Sequence, residues 1–374
     1  MVKRLFQFTV FVFLFGTPLI PAQATFTSLY IFGDGVCTTT NNPSAGQNYY
    51  GLRRSNGRVW VELLAQQQGM GANSTTNVNW SNSTNNWSYY GQYSPNLVTN
   101  LNSFSRPQDS NTALFVVWVN DADFVGDMGN IYVNFGTNMA RWTNAINQSL
   151  SNHWIIITNL YYAKGARTLV MPKAVDITEI PEYNIYPVND KNFIRQRIID
   201  FNTAFTTLLN QAKTSLPGIT IYEPDFFALL DNVLTNAAAY GLTNALSGGL
   251  SIDVIESSLN NKALNGPGTN YIFWDQSDPT AEFHAVLADI TQQLISPVKI
   301  GQITAFSGSN RLDLVNVPVG QNGLVLGRTN LVLGNWTTNG SSFISTNTTQ
   351  SVFVPASSPG WFYRLSFPYS WSWP

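Results

Sequence analysis

The sequence predicts an α/β protein: a three-layer α/β/α domain on a mostly parallel, doubly wound sheet, followed by a small antiparallel β module. Three observations predict it. The apolar runs at 28–32 and 112–119 have the unbroken hydrophobic character of strands buried on both faces. Further short β-rich runs alternate with long stretches of helical apolar spacing, the pattern of strand–helix–strand units. After Pro297 the helical spacing stops, and short β-forming runs punctuated by Gly, Asn and Ser replace it.

Taken in order, residues 28–36 (SLYIFGDGV) read as a strand ending in a tight glycine-flanked turn. A polar loop follows at 38–47. Ser55-Asn56-Gly57 is a turn signal, and 58–65 has helical spacing. Residues 73–102 are rich in Asn, Ser and Tyr. The run 112–119 ends in Asn120-Asp121, and 139–163 is a long helix carrying Ile146, Leu150, Trp154 and Ile157, stopped by Gly165. Residues 166–172 form the next strand. A helix over 187–211, a strand over 219–224, a helix over 226–237 and a last helix over 281–295 complete the domain. Phe283, Val286, Leu287, Ile290 and Leu294 are expected on the buried face of that last helix, with His284 at its edge. His153 is expected at the surface or a boundary.

Charged residues make up 11% of the 374, against roughly 25% in an average soluble protein. A net charge of −2 offers no basic patch and excludes nucleic acid as the natural partner. Lys3 and Arg4, an apolar run from 5 to 15 and Ala22-Gln23-Ala24 have the three-part layout of a secretory signal peptide, with cleavage after Ala24. The expected organisation is therefore a leader at 1–24, an α/β domain at 25–297 and a β module at 298–374, in a secreted or periplasmic protein. The single cysteine, Cys37, cannot form an internal disulfide and is no substitute nucleophile, since no histidine stands near it in sequence.

The blocks that carry chemistry resemble those of the GDSL, or SGNH, ester hydrolases. Phe32-Gly33-Asp34-Gly35 is similar to that family's Phe-Gly-Asp-Ser, with Gly35 at the nucleophile position. Asn86 to Gly91 resembles the second block, whose Gly lends an N–H to the oxyanion hole. Asn120-Asp121 resembles the end of Gly-x-Asn-Asp, with Trp118 in place of the Gly. Phe273-Trp274-Asp275-Gln276-Ser277-Asp278-Pro279-Thr280 resembles Phe-Trp-Asp-x-x-His-Pro-Thr, with Asp278 at the catalytic histidine position. The Ser-Asn-Gly-Arg turn at 55–58 and the Gly-Ala-Arg lead-in at 165–167 are also similar. The resemblance implies an SGNH, flavodoxin-like sheet, an ester or glycan ligand, no cofactor and no metal. It makes Asp275, Asp278 and His284 the candidate catalytic residues, and Gly91, Asn120, Asp34 and Asp121 the candidate oxyanion and binding residues.

Three functional readings follow. In the first, the fold is kept and the serine mechanism is lost, because a serine triad needs both a hydroxyl and a base. In the second, a working hydrolase uses Asp34, Asp121, Asp275 and Asp278 on a water or around a cation, or uses His284 as base. In the third, the protein is adhesive and acts on a cell-surface glycan through its C-terminal module. There, 329–337 with 362–365 looks like a β module found at the end of secreted bacterial proteins.

Overall fold

The computed structural model describes residues 26–39, 49–51, 53–70, 85–243, 264–265, 268–356, 361–367 and 372–373. The expected leader at 1–24, most of the 38–47 loop and the start of the Asn-rich stretch lie outside them.

Four parallel strands form the main sheet in the order β1 (Leu29–Gly33), β2 (Leu114–Trp118), β3 (Thr168–Val170) and β4 (Thr220–Tyr222). All five residues of β2 are buried, as a strand covered on both faces requires, and this is why the segment carries no alternation. On the far side of β1, Ile31 bridges Asn86 in parallel, with the Ile31 N–H donating to the Asn85 carbonyl and the Trp87 N–H to the Ile31 carbonyl. Counting that short segment, the sheet runs outward in both directions from β1. The β1/β2 boundary is thus the point where the winding reverses, and the crevice at the carboxyl ends of the strands opens there.

Among the described residues seven longer helices flank the sheet: α1 (Trp60–Gln67), α2 (Ser94–Asn100), α3 (Asn120–Asp127), α4 (Met139–Tyr162), α5 (Val188–Ser215), α6 (Phe226–Asn236) and α7 (Ala281–Ile295). α1 packs on α7 and α4 on α5. The rings of Trp60, Trp118 and Phe226 meet in a mutual edge-to-face cluster at centroid distances of 5.0–5.7 Å, which ties α1 and α6 to the end of β2. Gly165, at φ +80°, ends α4 in the left-handed conformation expected of it. Among the described residues no helix is long and apolar enough to cross a membrane.

The sequence reading of α7 needs two corrections. Leu294 is 42% exposed and His284 is fully buried. The helix is rotated so that His284 faces α1. His153 is likewise buried, packed against Phe205 at 5.2 Å and Phe201 at 6.1 Å.

The C-terminal residues form two antiparallel sheets. β5 (Lys299–Phe306), β6 (Ser309–Val315) and β10 (Thr349–Pro355) make one, with β6 central. β7 (Asn322–Arg328) pairs with β8 (Thr337–Thr338), β9 (Phe343–Ile344) and β11 (Phe362–Ser366), and β11 pairs with β12 (Ser372–Trp373). Val298, Leu312, Leu314, Val325, Val354 and Leu365 belong to a small core of their own. This core joins the larger part through α1: the Val319 N–H donates to the Gln67 carbonyl at 3.2 Å.

Candidate functional site

The turn after β1 is held from both sides. Its Gly33 N–H donates to Ser88 Oγ at 2.8 Å, and Gln92 Nε2 donates to the Gly33 carbonyl at 2.7 Å. Asn86 Nδ2 donates to the Cys37 carbonyl and to Thr39 Oγ1. The Asn86–Gly91 block therefore serves first as a clamp on the β1 turn. Gly91 follows at φ +77°, a conformation that favours glycine, and it lines the crevice.

A second clamp brings in Arg54. Ser55 Oγ donates to the Pro279 carbonyl at 3.0 Å, and Asn56 Oδ1 accepts from the Ala281 N–H at 2.8 Å. A Cβ on Gly57 would stand 2.6 Å from Ala281 Cβ, so only glycine permits this approach. The buried Glu62 carboxylate accepts from the Val59 N–H and from Arg53 Nε, which fixes the start of α1. The Ser-Asn-Gly-Arg turn is thus the device that stitches α1 to α7 and sets Arg54 beside the 275–278 loop.

That loop is shaped by Asp275. Its Oδ1 accepts from the N–H groups of Ser277 and Asp278 at 2.9 and 2.7 Å, and its Oδ2 accepts from Tyr49 Oη at 2.7 Å. Asp278 then meets Arg54, Nε to Oδ2 at 2.6 Å, while Arg54 stands 3.7 Å from Asp275. The guanidinium also lies 4.0 Å from the centroid of the Tyr90 ring.

These groups surround a crevice of about 150 Å³ at the β1/β2 boundary. Asp34, Gly35, Gly91, Asp121 and Asp278 all line it, along with apolar side chains that include Val36, Trp118, Ile177, Ile180, Leu230 and Phe273. A Cβ built on Gly35 would sit 3.1 Å from Tyr90 Cδ2, 3.4 Å from Asp278 Oδ1 and 3.5 Å from Arg54 Cδ. Residue 278 therefore faces residue 35, as a base faces its nucleophile. Here, however, a paired carboxylate faces a hydrogen atom.

Burial pushes the Asp34 carboxyl up to about 7, against the bond from the Val36 N–H. Asp121 is raised by burial and by the charge of Asp34, although it accepts from the Val175 N–H at 2.8 Å. Burial and the neighbouring Asp275 carboxyl raise Asp278, and Arg54 pulls against them. Burial therefore works against the charged form of each of these three carboxyls, and only Asp278 has a cation beside it.

Three candidate residues do not line the crevice, and one of them, Asp275, shapes the loop that carries Asp278. His284 Nδ1 accepts from the Trp60 N–H at 3.2 Å, and burial holds its pKa down at about 3. Asn120 donates its Nδ2 to the Pro172 carbonyl at 2.9 Å and does not line the crevice, whereas Asp121 and Ala122 do. Fitting Gly-x-Asn-Asp to 120–123 instead of 118–121 agrees better with this geometry. It puts Ala122 in the Asn place and Asp123 in the Asp place, where Asp123 Oδ1 accepts from the Ser94 N–H at 2.8 Å. The signal was in the sequence: a second Asp stands two residues after the first.

The chain has only two histidines. The other, His153, sits near Ser149 and Asp123 in a grouping that resembles a triad only in composition. Ser149 Oγ donates to Asp123, and His153 Nδ1 donates to the Ser149 carbonyl at 2.8 Å. Cys37 is fully buried, and burial raises its thiol. Among the described residues, Ser277 and the phenols of Tyr90 and Tyr93 are the hydroxyls that line the crevice, and neither histidine lines it. Among the described residues no three His, Cys, Asp or Glu side chains are placed to hold a metal ion.

The fold and its carboxyl-edge crevice define the class: an α/β/α protein with a crevice at the point where the sheet's winding reverses. The chain is 23% identical over 319 residues to a GDSL esterase/lipase of Arabidopsis thaliana, covering 73% of this chain and 82% of that protein. It is 23% identical over 336 residues to a second Arabidopsis GDSL esterase/lipase, covering 75% and 88%. A GDSL-like lipase from Parabacteroides merdae superposes with a TM-score of 0.40 at 10% identity, over 72% of this chain and 94% of that one. No protein-family model matches the chain. By its sequence relatives and its motif blocks, the chain is similar to the GDSL/SGNH ester hydrolases.

Proposed function

We propose that this protein is a ligand-binding member of its family, one that holds an apolar acyl or aryl ester group in the crevice without serine-esterase chemistry. One observation carries the reading: at the place where β1 delivers the nucleophile there is Gly35, and the residue facing it, Asp278, is locked to Arg54. An acyl transfer needs an attacking atom and a group to take its proton. The Ser277 hydroxyl has no imidazole beside it, since both histidines are buried elsewhere. The apolar lining, which includes Val36, Trp118, Ile177, Ile180, Leu230 and Phe273, suits a neutral ester or acyl group better than an ion.

We also propose that residues 1–24 direct export and are removed. N-terminal sequencing of the secreted protein tests this, with Thr25 as the expected first residue.

Binding is tested by titrating a non-hydrolysable butyryl analogue into wild type and Ala122→Trp, with tryptophan-independent detection such as calorimetry. The indole fills space beside Trp118 in the crevice. Wild type is expected to bind and Ala122→Trp to lose binding by about tenfold or more. Equal affinities would place the ligand elsewhere.

A further inference from the structure

The hairpin between β7 and β8 exposes three consecutive apolar side chains: Leu331 at 54%, Val332 at 86% and Leu333 at 70%. A run of this kind on a soluble surface is a cost unless it meets a partner. The tip has a defined shape. Asn330 Oδ1 accepts from the N–H groups of Val332 and Leu333 at 2.8 and 3.1 Å. The Arg328 guanidinium donates to the Leu331 carbonyl, and Gly334 turns the chain back at φ +91°.

Behind the tip stands a cationic collar. Arg328 and Arg364 lie 4.4 and 4.7 Å from the centroid of the Trp336 ring. They reach the same face of the β7–β11 pair, because Arg328 is opposite Phe362 and Arg364 is opposite Leu326. The only acidic residue between 298 and 374 is Asp313, and it pairs with Arg311 at 3.1 Å. No Asp or Glu side chain of the module is left to pair with these two guanidiniums. Two positive charges held at one indole ring favour an external anion.

We propose that this hairpin docks on an anionic lipid surface, with Leu331, Val332 and Leu333 entering the acyl boundary and Arg328, Arg364 and Trp336 at the headgroups. An apolar tip with a Trp and basic residues behind it is the layering that a membrane interface selects. A polyanion in solution would match the two arginines but would leave the three apolar side chains in water. The proposal does not depend on what the crevice binds.

The test is co-sedimentation of the full mature chain with phosphatidylcholine vesicles, with or without about one-third phosphatidylserine. The expected result is pelleting with the anionic vesicles, weakened by salt, and little pelleting with phosphatidylcholine alone. Val332→Asp with Leu333→Asp should reduce binding by about tenfold or more. Arg328→Gln and Arg364→Gln should each cost about fivefold and reduce the salt dependence. The melting temperature of the double aspartate variant should match wild type, because the Val332 and Leu333 side chains are exposed. Failure to pellet with anionic vesicles at low salt would overturn the proposal, as would equal pelleting of the double aspartate variant. Arginine-dependent retention on heparin without vesicle binding would assign the surface to an acidic glycan instead.

Discussion

Arg54→Met removes the cation from the 275–278 loop and keeps most of the aliphatic stem against Tyr90. Two losses follow, and they differ in pH dependence. The cation–π contact at 4.0 Å contributes about 1 kcal/mol at a partly buried site and is lost at every pH. The ion pair to Asp278 at 2.6 Å is lost as well, leaving a carboxyl with a side chain 4% exposed and no compensating charge. Breaking such a pair costs about 3 kcal/mol when the carboxyl is ionised, the low end of the usual range because Arg54 is itself partly open to water. Asp278 is already raised by burial and by Asp275, and without Arg54 it rises further. The folded variant then keeps its proton at pH values where the unfolded chain has released one. Between the ordinary carboxyl value and that raised value the folded state binds more protons, so the variant loses stability as pH rises through the window. The expected destabilisation is about 1 kcal/mol at pH 4 and about 3–4 kcal/mol at pH 8, measured by urea unfolding at both pH values. A loss that is the same at both, or below about 1 kcal/mol at pH 8, would refute the assignment of Arg54 as the counter-charge of this loop.

Gly35→Ser alone should fold, because a Cβ there meets Asp278 Oδ1 and Arg54 Cδ at 3.4 and 3.5 Å, ordinary contact distances, and Tyr90 at 3.1 Å, whose half-exposed ring can give way. A stability change within about 1 kcal/mol and no gain in p-nitrophenyl butyrate turnover are expected, since a hydroxyl without a base is a poor nucleophile. Asp289 accepts from Gln67 Nε2 at 2.6 Å, its Oδ2 has no partner, and burial pushes it up to about 7. Asp289 therefore contributes a loss of stability as pH rises from about 4 to 7, and Asp289→Asn removes that contribution. The variant should gain about 2 kcal/mol relative to wild type between pH 4 and pH 8 in thermal or urea unfolding, and a difference independent of pH would contradict this.

Much of the architecture is legible in the sequence because it rests on strong local signals. The segment 112–119 has no polar interruption, and Leu114–Trp118 is buried throughout. Helix 281–295 is bounded by a Thr cap, with Thr280 Oγ1 accepting from the Phe283 N–H, and by the end of its apolar spacing. What the pattern left undecided is phase. Five apolar positions on α7 fit more than one rotation, and only packing on α1 decides that His284 turns inward and Leu294 outward. The same is true after β2, where an apolar run marks the end of a strand but does not say which residue of the following turn faces the crevice. α2 was hidden because Pro95 and Asn96 stand at its start in an Asn-rich stretch, and its buried residues are only Ser94 and Leu97. Arg54 could not have been assigned, since its partner Asp278 lies 224 residues away and meets it only through the Ser55–Gly57 clamp.

Labelling by a fluorophosphonate probe, run in parallel on wild type and on Gly35→Ser with Asp278→His, tests most directly whether positions 35 and 278 silence the crevice. The account predicts an unlabelled wild type, and a double variant that reacts about a hundredfold faster than Gly35→Ser alone, the usual contribution of a positioned base. Stoichiometric labelling of the wild-type protein would contradict it.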